Sequence, residues 1–328
     1  MSKSLLVFID YAYVPYALGD TFTLLVNMEI QRRLNGNDDI VQLVLVDPDS
    51  PKSKWQAFIN QSNFRSFLIE LFPAFLFSPS TSRLSFTESP PFFYHQLVKS
   101  TLKREAVWPG IYAQARGAFD FFSHQAVNRF FQKHAYLPRL EAPEALRNRA
   151  KLHLGTLFKD RQVVTVNLRN SKSGYFFTAP HREAAIPEWE KFLLQASQSH
   201  PQVVFLIVGS YVEWNRSFLN LPNVAISRRL GLGLADELSI LLQSRLFMGS
   251  SSGFSALATF SSVPYLIANY EGAMAKYVGL NVGDTRYPFA AKNQAILWGA
   301  ESCAALYEKF CELMDSSSMP HASALATG

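Results

Sequence analysis

Ser250, Ser251, Ser252 and Gly253 stand between an apolar run that follows Arg245 and a stretch with helical spacing that ends before Pro264. A strand, a Ser/Gly turn and a helix in that order are suited to holding phosphate. The first turn of a helix presents unpaired N–H groups and a partial positive charge, and glycine admits close approach to the backbone. The serine hydroxyls add further donors. The same serines also suit the plainer task of capping the helix. Upstream, Leu234 to Ser244 has helical spacing, and downstream Val263 to Ala268 reads as another apolar strand. Helix, strand, turn, helix and strand make half of a nucleotide-binding domain.

In open α/β sheets, ligands bind beyond the carboxyl ends of the strands, so the polar residues closing each apolar run are the ones to inspect. Four ends qualify: Asn167-Leu168-Arg169-Asn170, Gly209-Ser210, Ser227-Arg228-Arg229 and Gly249 to Gly253. A guanidinium beside a phosphate-binding helix start would grip a diphosphate through paired, charge-assisted hydrogen bonds, which singles out Arg169. A surface ion pair is its alternative. Arg228 and Arg229 read as a solvated basic pair. Arg182, with His181, lies in a loop placed to close over the phosphates, while His181 alone reads as solvated. Glu237, at the start of the helix from Leu234, fits a ribose hydroxyl or a helix start equally well.

In the first half, Asp20 follows Gly19 at the end of a βα loop. It is suited to act as a general base near a bound sugar, or to cap the helix that begins with Thr21. Asp47-Pro48-Asp49 has the spacing of a cation-binding pair, but its prolines favour an ordinary turn. The seven histidines and two cysteines show no zinc spacing, and neither a nucleophile elbow nor a Walker loop occurs. Gly231-Leu232-Gly233 lacks the third glycine of a dinucleotide fingerprint and reads as a flexible turn.

The elements that must position these residues alternate. Leu5 to Ile9 is a strand, a helix runs to Leu34, and Val41 to Val46 is a second strand, giving a parallel βαβ start. Helices are expected around Trp55 to Leu71 and Ala113 to His134, with a break at Ser89-Pro90-Pro91. Pro143 to Leu154 is helical, and the boundary between domains is expected near Gly155, giving domains 1–155 and 156–328. Then follow strands at 162–168, 203–208 and 223–226, a helix at 187–198, and the elements already named. Five strands are expected there. A last amphipathic helix carries Cys303, Leu306, Tyr307, Phe310 and Met314; on it Cys303 and Cys311 would stand about 12 Å apart, too far to bridge.

A chain of 328 residues with 48% hydrophobic and 17% charged residues has the core for two folded domains. Its net charge of +5 is spread along the chain, which argues against nucleic acid and leaves open attraction to anionic membrane surfaces. With no signal core and no apolar stretch of about 18 residues, a cytoplasmic enzyme is expected.

Together, Asn167-Leu168-Arg169, His181-Arg182-Glu183, Val208-Gly209 and the run from Leu234 to Ile267 resemble the donor-binding domain of GT-B glycosyltransferases. The likeness spans roughly Val163 to Asn269 and is greatest to fucosyltransferase-like and heptosyltransferase-like bacterial enzymes. It implies two Rossmann-like doubly wound domains facing a cleft. The implied donor is a nucleotide diphosphate sugar, with a GDP-sugar slightly ahead; the acceptor is glycan-type, and neither cofactor nor metal is implied. Asn167, Arg169, Arg182, Gly209, Ser210, Glu237 and Ser250 to Gly253 are the implied donor-binding set. Gly19-Asp20 resembles the first-loop Gly-Asp of heptosyltransferase-like enzymes, in which that aspartate is the base. Where the fucosyltransferase-like group has histidine, this chain has Asn167, so no imidazole acts there. A sugar-nucleotide epimerase and a noncatalytic binding module on the same architecture are the other readings. Residues 52–150 resemble nothing named, and the oligomeric state stays open.

Overall fold

The computed structural model describes residues 3–46, 59–110, 123–159, 161–170, 183–209 and 216–316. The first half contains β1 (Ser4–Asp10), α1 (Leu18–Leu34), β2 (Asp39–Leu45), α2 (Phe64–Phe75), β3 (Thr81–Thr87), α3 (Pro90–Leu102), β4 (Val107–Trp108), α4 (His124–His134) and α5 (Glu144–Phe158). The second contains β5 (Gln162–Asn167), α6 (Ile186–Ser199), β6 (Val203–Ile207), β7 (Val224–Ile226), α7 (Leu234–Leu241), β8 (Leu246–Ser250), α8 (Gly253–Thr259), β9 (Tyr265–Tyr270), α9 (Gly272–Val278), β10 (Gln294–Trp298) and α10 (Cys303–Ser316).

Two parallel sheets result, in the orders β3-β2-β1-β4 and β10-β9-β8-β5-β6-β7. Counted along its own chain, the second is the doubly wound 3-2-1-4-5-6 order, and its direction of winding reverses between β5 and β8. That reversal brings the ends of two non-adjacent strands side by side. The central strands are covered on both faces, which is why β6 is apolar throughout and every residue of it is buried.

The inner helices of the two halves meet directly: α1 packs on α8, α2 on α7 and α4 on α9. One apolar cluster therefore runs from Val7 and Phe22 through to Leu257 and Ile267. The opposite face of the second sheet is closed by α6 and α10 around Trp189, Phe205 and Phe310, and that of the first by Phe93 and Leu97 of α3. The segment leading into α5 is stitched to both halves. Arg139 donates to the carbonyls of Ser261 (3.2 Å) and Phe289 (2.8 Å), and Glu141 N–H donates to Phe77 O at 3.0 Å. Among the described residues no helix is long and apolar enough to cross a membrane.

Several expectations change. Pro90 and Pro91 start α3 instead of breaking the chain, because Ser89 caps it and proline is tolerated where no N–H is needed. Gly155 lies inside α5, which continues to Phe158 and is fastened to α7: Arg149 Nε and Nη2 stand 2.7 and 2.9 Å from the two oxygens of Asp236. The second sheet has six strands, not five, the addition being the edge strand β10. Of the two helices expected in the middle of the first half, α2 starts only at Phe64 and α4 at His124; 47–58 and 111–122 lie outside the described residues.

Gly249 is fixed by the strand reversal. It pairs in register with Asn167, and a Cβ on it would stand 2.2 Å from the Asn167 carbonyl oxygen. Gly249→Ala is expected to cost about 1–3 kcal/mol or more, as overpacked core positions do, read as a fall in the urea midpoint with the slope unchanged.

Candidate functional site

At the reversal point the two strand ends carry the polar residues singled out above. Asn167 is buried, and its amide donates to Val208 O at 2.9 Å, tying the end of β5 to the end of β6. Its side chain is thus committed to the strands. Two residues on, Arg169 is largely covered, with Nε 3.8 Å from Glu183 Oε1, a partly shielded ion pair at the strand end. Beyond β8, Ser250 is fully buried and donates to Glu301 Oε1 at 3.2 Å, while Glu301 Oε2 accepts from Ala185 N at 2.6 Å. Burial pushes the Glu301 carboxyl above the usual carboxylate range. Ser250 thus ties β8 to the chain entering α6 and α10, a linkage invisible without Glu301.

Ser251 is buried as well, and Ser252 is the N-cap of α8. The Ser252 hydroxyl accepts from Ser255 N at 3.3 Å and the Ser255 hydroxyl accepts from Ser252 N at 2.8 Å, a reciprocal capping box. The capping alternative therefore describes Ser252. Gly253 does permit a close approach, but Leu18 makes it: a Cβ on Gly253 would lie 2.6 Å from Leu18 Cβ. The close approach expected of a ligand at Gly253 is thus made by the start of α1.

Gly209 has φ +131°, open only to glycine. Its N–H donates to Glu237 Oε1 at 3.1 Å and its carbonyl accepts from Arg228 Nε at 2.9 Å. Arg228 Nη2 closes the ring on Glu237 Oε2 at 3.0 Å, and the Ser227 hydroxyl donates to the same carboxylate. Glu237 is fully buried. It is neither a ribose ligand nor a mere helix start, because its oxygens are taken by groups that shape the β6 and β7 ends. Arg228, expected in solvent, is half of that buried pair. Arg182, His181, Ser210, Asp47 and Asp49 lie outside the described residues. Among the described residues no three metal-ligating side chains gather.

Across the seam, α1 begins at Leu18 with Ala17 as N-cap, so Asp20 sits in the first turn and is not the cap. Asp20 Oδ1 accepts the Tyr277 hydroxyl of α9 at 2.8 Å. One turn on, the Thr23 hydroxyl donates to Gly19 O at 3.0 Å and lies 3.1 Å from His124 Nε2. A hydroxyl has one proton, so with it on Gly19 O the imidazole carries its hydrogen on Nε2. His124 is enclosed by Phe260 and Tyr277 at ring separations of 5.2 and 5.8 Å, and burial pushes its pKa down to about 4. The sequence held no signal for His124, Tyr277 or Glu301.

No protein-family profile matches the chain, and no curated protein matches it by sequence. Among solved structures it is similar to the ADP-heptose LPS heptosyltransferase II of E. coli, with TM-score 0.58 and 11% identity over 97% of this chain and 100% of that one. It is also similar to a family 9 glycosyl transferase from Veillonella parvula, with TM-score 0.55 and 9% identity over 94% and 89% of the two chains. The fold is that of the GT-B glycosyltransferases: two parallel α/β sheets that meet along their helices.

Two outcomes follow from this packing. Gly253→Ala should displace α1 and cost about 1–3 kcal/mol in chemical unfolding, and Leu18→Gly in the same chain, which removes the opposing Cβ, should make the two changes together cost less than their sum. His124 titrates near 6.5 when unfolded and near 4 when folded, so the unfolded chain binds the extra proton between those values. Its contribution is full above about pH 6.5 and lost as pH falls to about 4, amounting to about 3 kcal/mol. His124→Gln should flatten that part of the pH dependence in urea titrations.

Proposed function

We propose that this chain is a glycosyltransferase that moves a sugar from a nucleoside diphosphate sugar to a hydroxyl acceptor without a metal ion. What supports the reading is an arrangement of neighbours. The strands preceding Arg169 and the serine turn pair where the winding reverses, Gly19 packs on Ser252 and Gly253, and Asp20 is bonded to Tyr277 of the second half.

In the proposed reaction the acceptor hydroxyl attacks the anomeric carbon of the donor. Asp20 takes the hydroxyl proton as the new bond forms, and the bond from that carbon to the diphosphate oxygen breaks. Negative charge grows on the departing diphosphate, where the Arg169 guanidinium and the amides at the start of α8 stabilise it. Leu18 must lift from Gly253 to let the diphosphate reach those amides. Gly209, Glu237 and Ser250 serve by holding the strand ends still. The donor is proposed to be a GDP- or ADP-sugar, the second prompted by the ADP-heptose in the name of the E. coli neighbour. The acceptor is proposed to be a glycan or a lipid-linked glycan, with the reaction in the cytoplasm.

A thermal-shift screen over GDP, UDP, ADP and TDP should show one diphosphate raising the melting temperature well beyond the others. With the corresponding sugar nucleotide, Arg169→Ala should lower the rate of nucleoside diphosphate release by about 10²-fold, and excess chelator should leave the wild-type rate unchanged. Unaltered turnover in Arg169→Ala would remove that residue from the mechanism. Stabilisation by a diphosphate with no turnover on any sugar nucleotide would leave a noncatalytic binding module.

A further inference from the structure

The last turn of α9 is held by the opposite half of the molecule. Asn128 of α4 donates through Nδ2 to Val278 O at 2.9 Å and Gly279 O at 3.2 Å, and Gln125 Nε2 reaches Lys276 O at 3.4 Å. These carbonyls end a helix and have no partners within it, so α4 supplies what the helix lacks. Gly279 completes the fit: with φ +71° it turns the chain out of the helix, and a Cβ there would stand 3.0 Å from Asn128 Nδ2. Asn128 is itself buried.

Tyr277 lies between the residues so held, and burial does not explain its side chain, which is 50% exposed. Its hydroxyl instead crosses to Asp20 Oδ1, 257 residues away in sequence, at 2.8 Å. Its ring lies 5.8 Å from that of His124, the first residue of α4. His124 in turn meets Thr23, whose hydroxyl holds the carbonyl of Gly19. The turn carrying Asp20 is therefore gripped twice from α4, once through His124 and Thr23 and once through Asn128, the end of α9 and Tyr277.

We infer that Tyr277 is a positioning residue for the Asp20 carboxylate, holding it in one orientation at the seam so that it can receive the proton of an acceptor hydroxyl. The inference rests on Asp20 acting as the general base. A carboxylate in a helix's first turn has several rotamers open to it. A phenol fixed by a second helix selects one, and proton transfer depends on that geometry. Among the described residues, the titratable groups that face this carboxylate include Tyr277 from α9 and Tyr11 beyond the end of β1, with His124 of α4 behind the Tyr277 ring. Burial pushes Tyr11 upward and His124 downward, so both are neutral near pH 7 and the hydroxyl of Tyr277 supplies the polar contact described.

Tyr277→Phe keeps the ring and removes the hydroxyl, and is compared in the full chain with Asp20→Asn and Asn128→Ala. Nucleoside diphosphate release is measured with the sugar nucleotide of the diphosphate that most stabilises the wild type. Tyr277→Phe should lower kcat about tenfold, leave the KM for that donor within about twofold, and move the acid limb of the kcat profile to higher pH, because a donor to the ionised carboxylate is gone. Asn128→Ala, which loosens α9 without touching Asp20, should shift the same limb in the same direction by less. Carboxyl-carbon NMR titration of the unliganded chain gives the comparison without substrate, with the Asp20 resonance assigned by its loss in Asp20→Asn: its midpoint should rise in Tyr277→Phe. An unmoved midpoint overturns the inference. So does an unchanged kcat and acid limb in Tyr277→Phe while Asp20→Asn is inactive, and in that case Asp20 stands as base without Tyr277. Full activity in Asp20→Asn would overturn the base and this inference with it.

Discussion

The start of α1 rests on the start of α8 because residue 253 has no side chain, and Leu18 fills the place where one would be. The neighbouring position is less tight: a Cβ on Gly19 would lie 3.6 Å from Gly253 Cα, an ordinary van der Waals contact. Two helix starts that approach this nearly must be small where they cross, and that demand falls on Gly253, while position 19 has room for a methyl group. Everything across the seam follows from that crossing. It sets the distance at which Asp20 meets Tyr277, places Thr23 against His124, and lets one apolar cluster continue from the first sheet to the second.

Charge in the second half is spent on holding strand ends. Glu237 binds Gly209 and Arg228, Glu301 binds Ser250 and the chain entering α6, and Asp236 receives Arg149. Each carboxylate is buried or nearly so, and both oxygens of Glu237 and of Glu301 accept hydrogen bonds. Removing Arg228 from Glu237 would leave a fully buried charge without its counter-ion, which costs about 3–5 kcal/mol. These groups thus fix the loops that border the proposed donor site.

Central strands were legible because burial on both faces leaves an unbroken apolar run, as in Val203 to Ile207, and the helix from Leu234 because its spacing is regular. Of the edge strands, β7 was legible as 223–226, but β3 and β10 were not. β3, Thr81 to Thr87, is polar in composition since it is half-covered, and β10 is short and flanked by turns. For the site, residue types at the strand ends were readable, but their partners were not. Ser250 meets a carboxylate 51 positions away and Thr23 a histidine 101 positions away, and no local pattern announces either. Gly253 shows the same limit: the need for a glycine was evident, while the identity of what approaches it depends on how two distant helices cross.

A shared core also constrains how a ligand enters. Swinging one whole half away from the other would expose the apolar cluster that bridges them, at roughly 25 cal/mol for every Å² uncovered. It would also break the bonds from Asn128 to the end of α9 and from Arg139 to Ser261 and Phe289. Lifting only the first turn of α1 exposes far less, since Leu18 is partly buried to begin with and Tyr277 is half in solvent. A local movement of Leu18 to Asp20 is therefore far less costly than parting the halves, and it leaves the core intact. Such a movement also draws Asp20 away from Tyr277, so the position of this turn and the bond to its carboxylate change together.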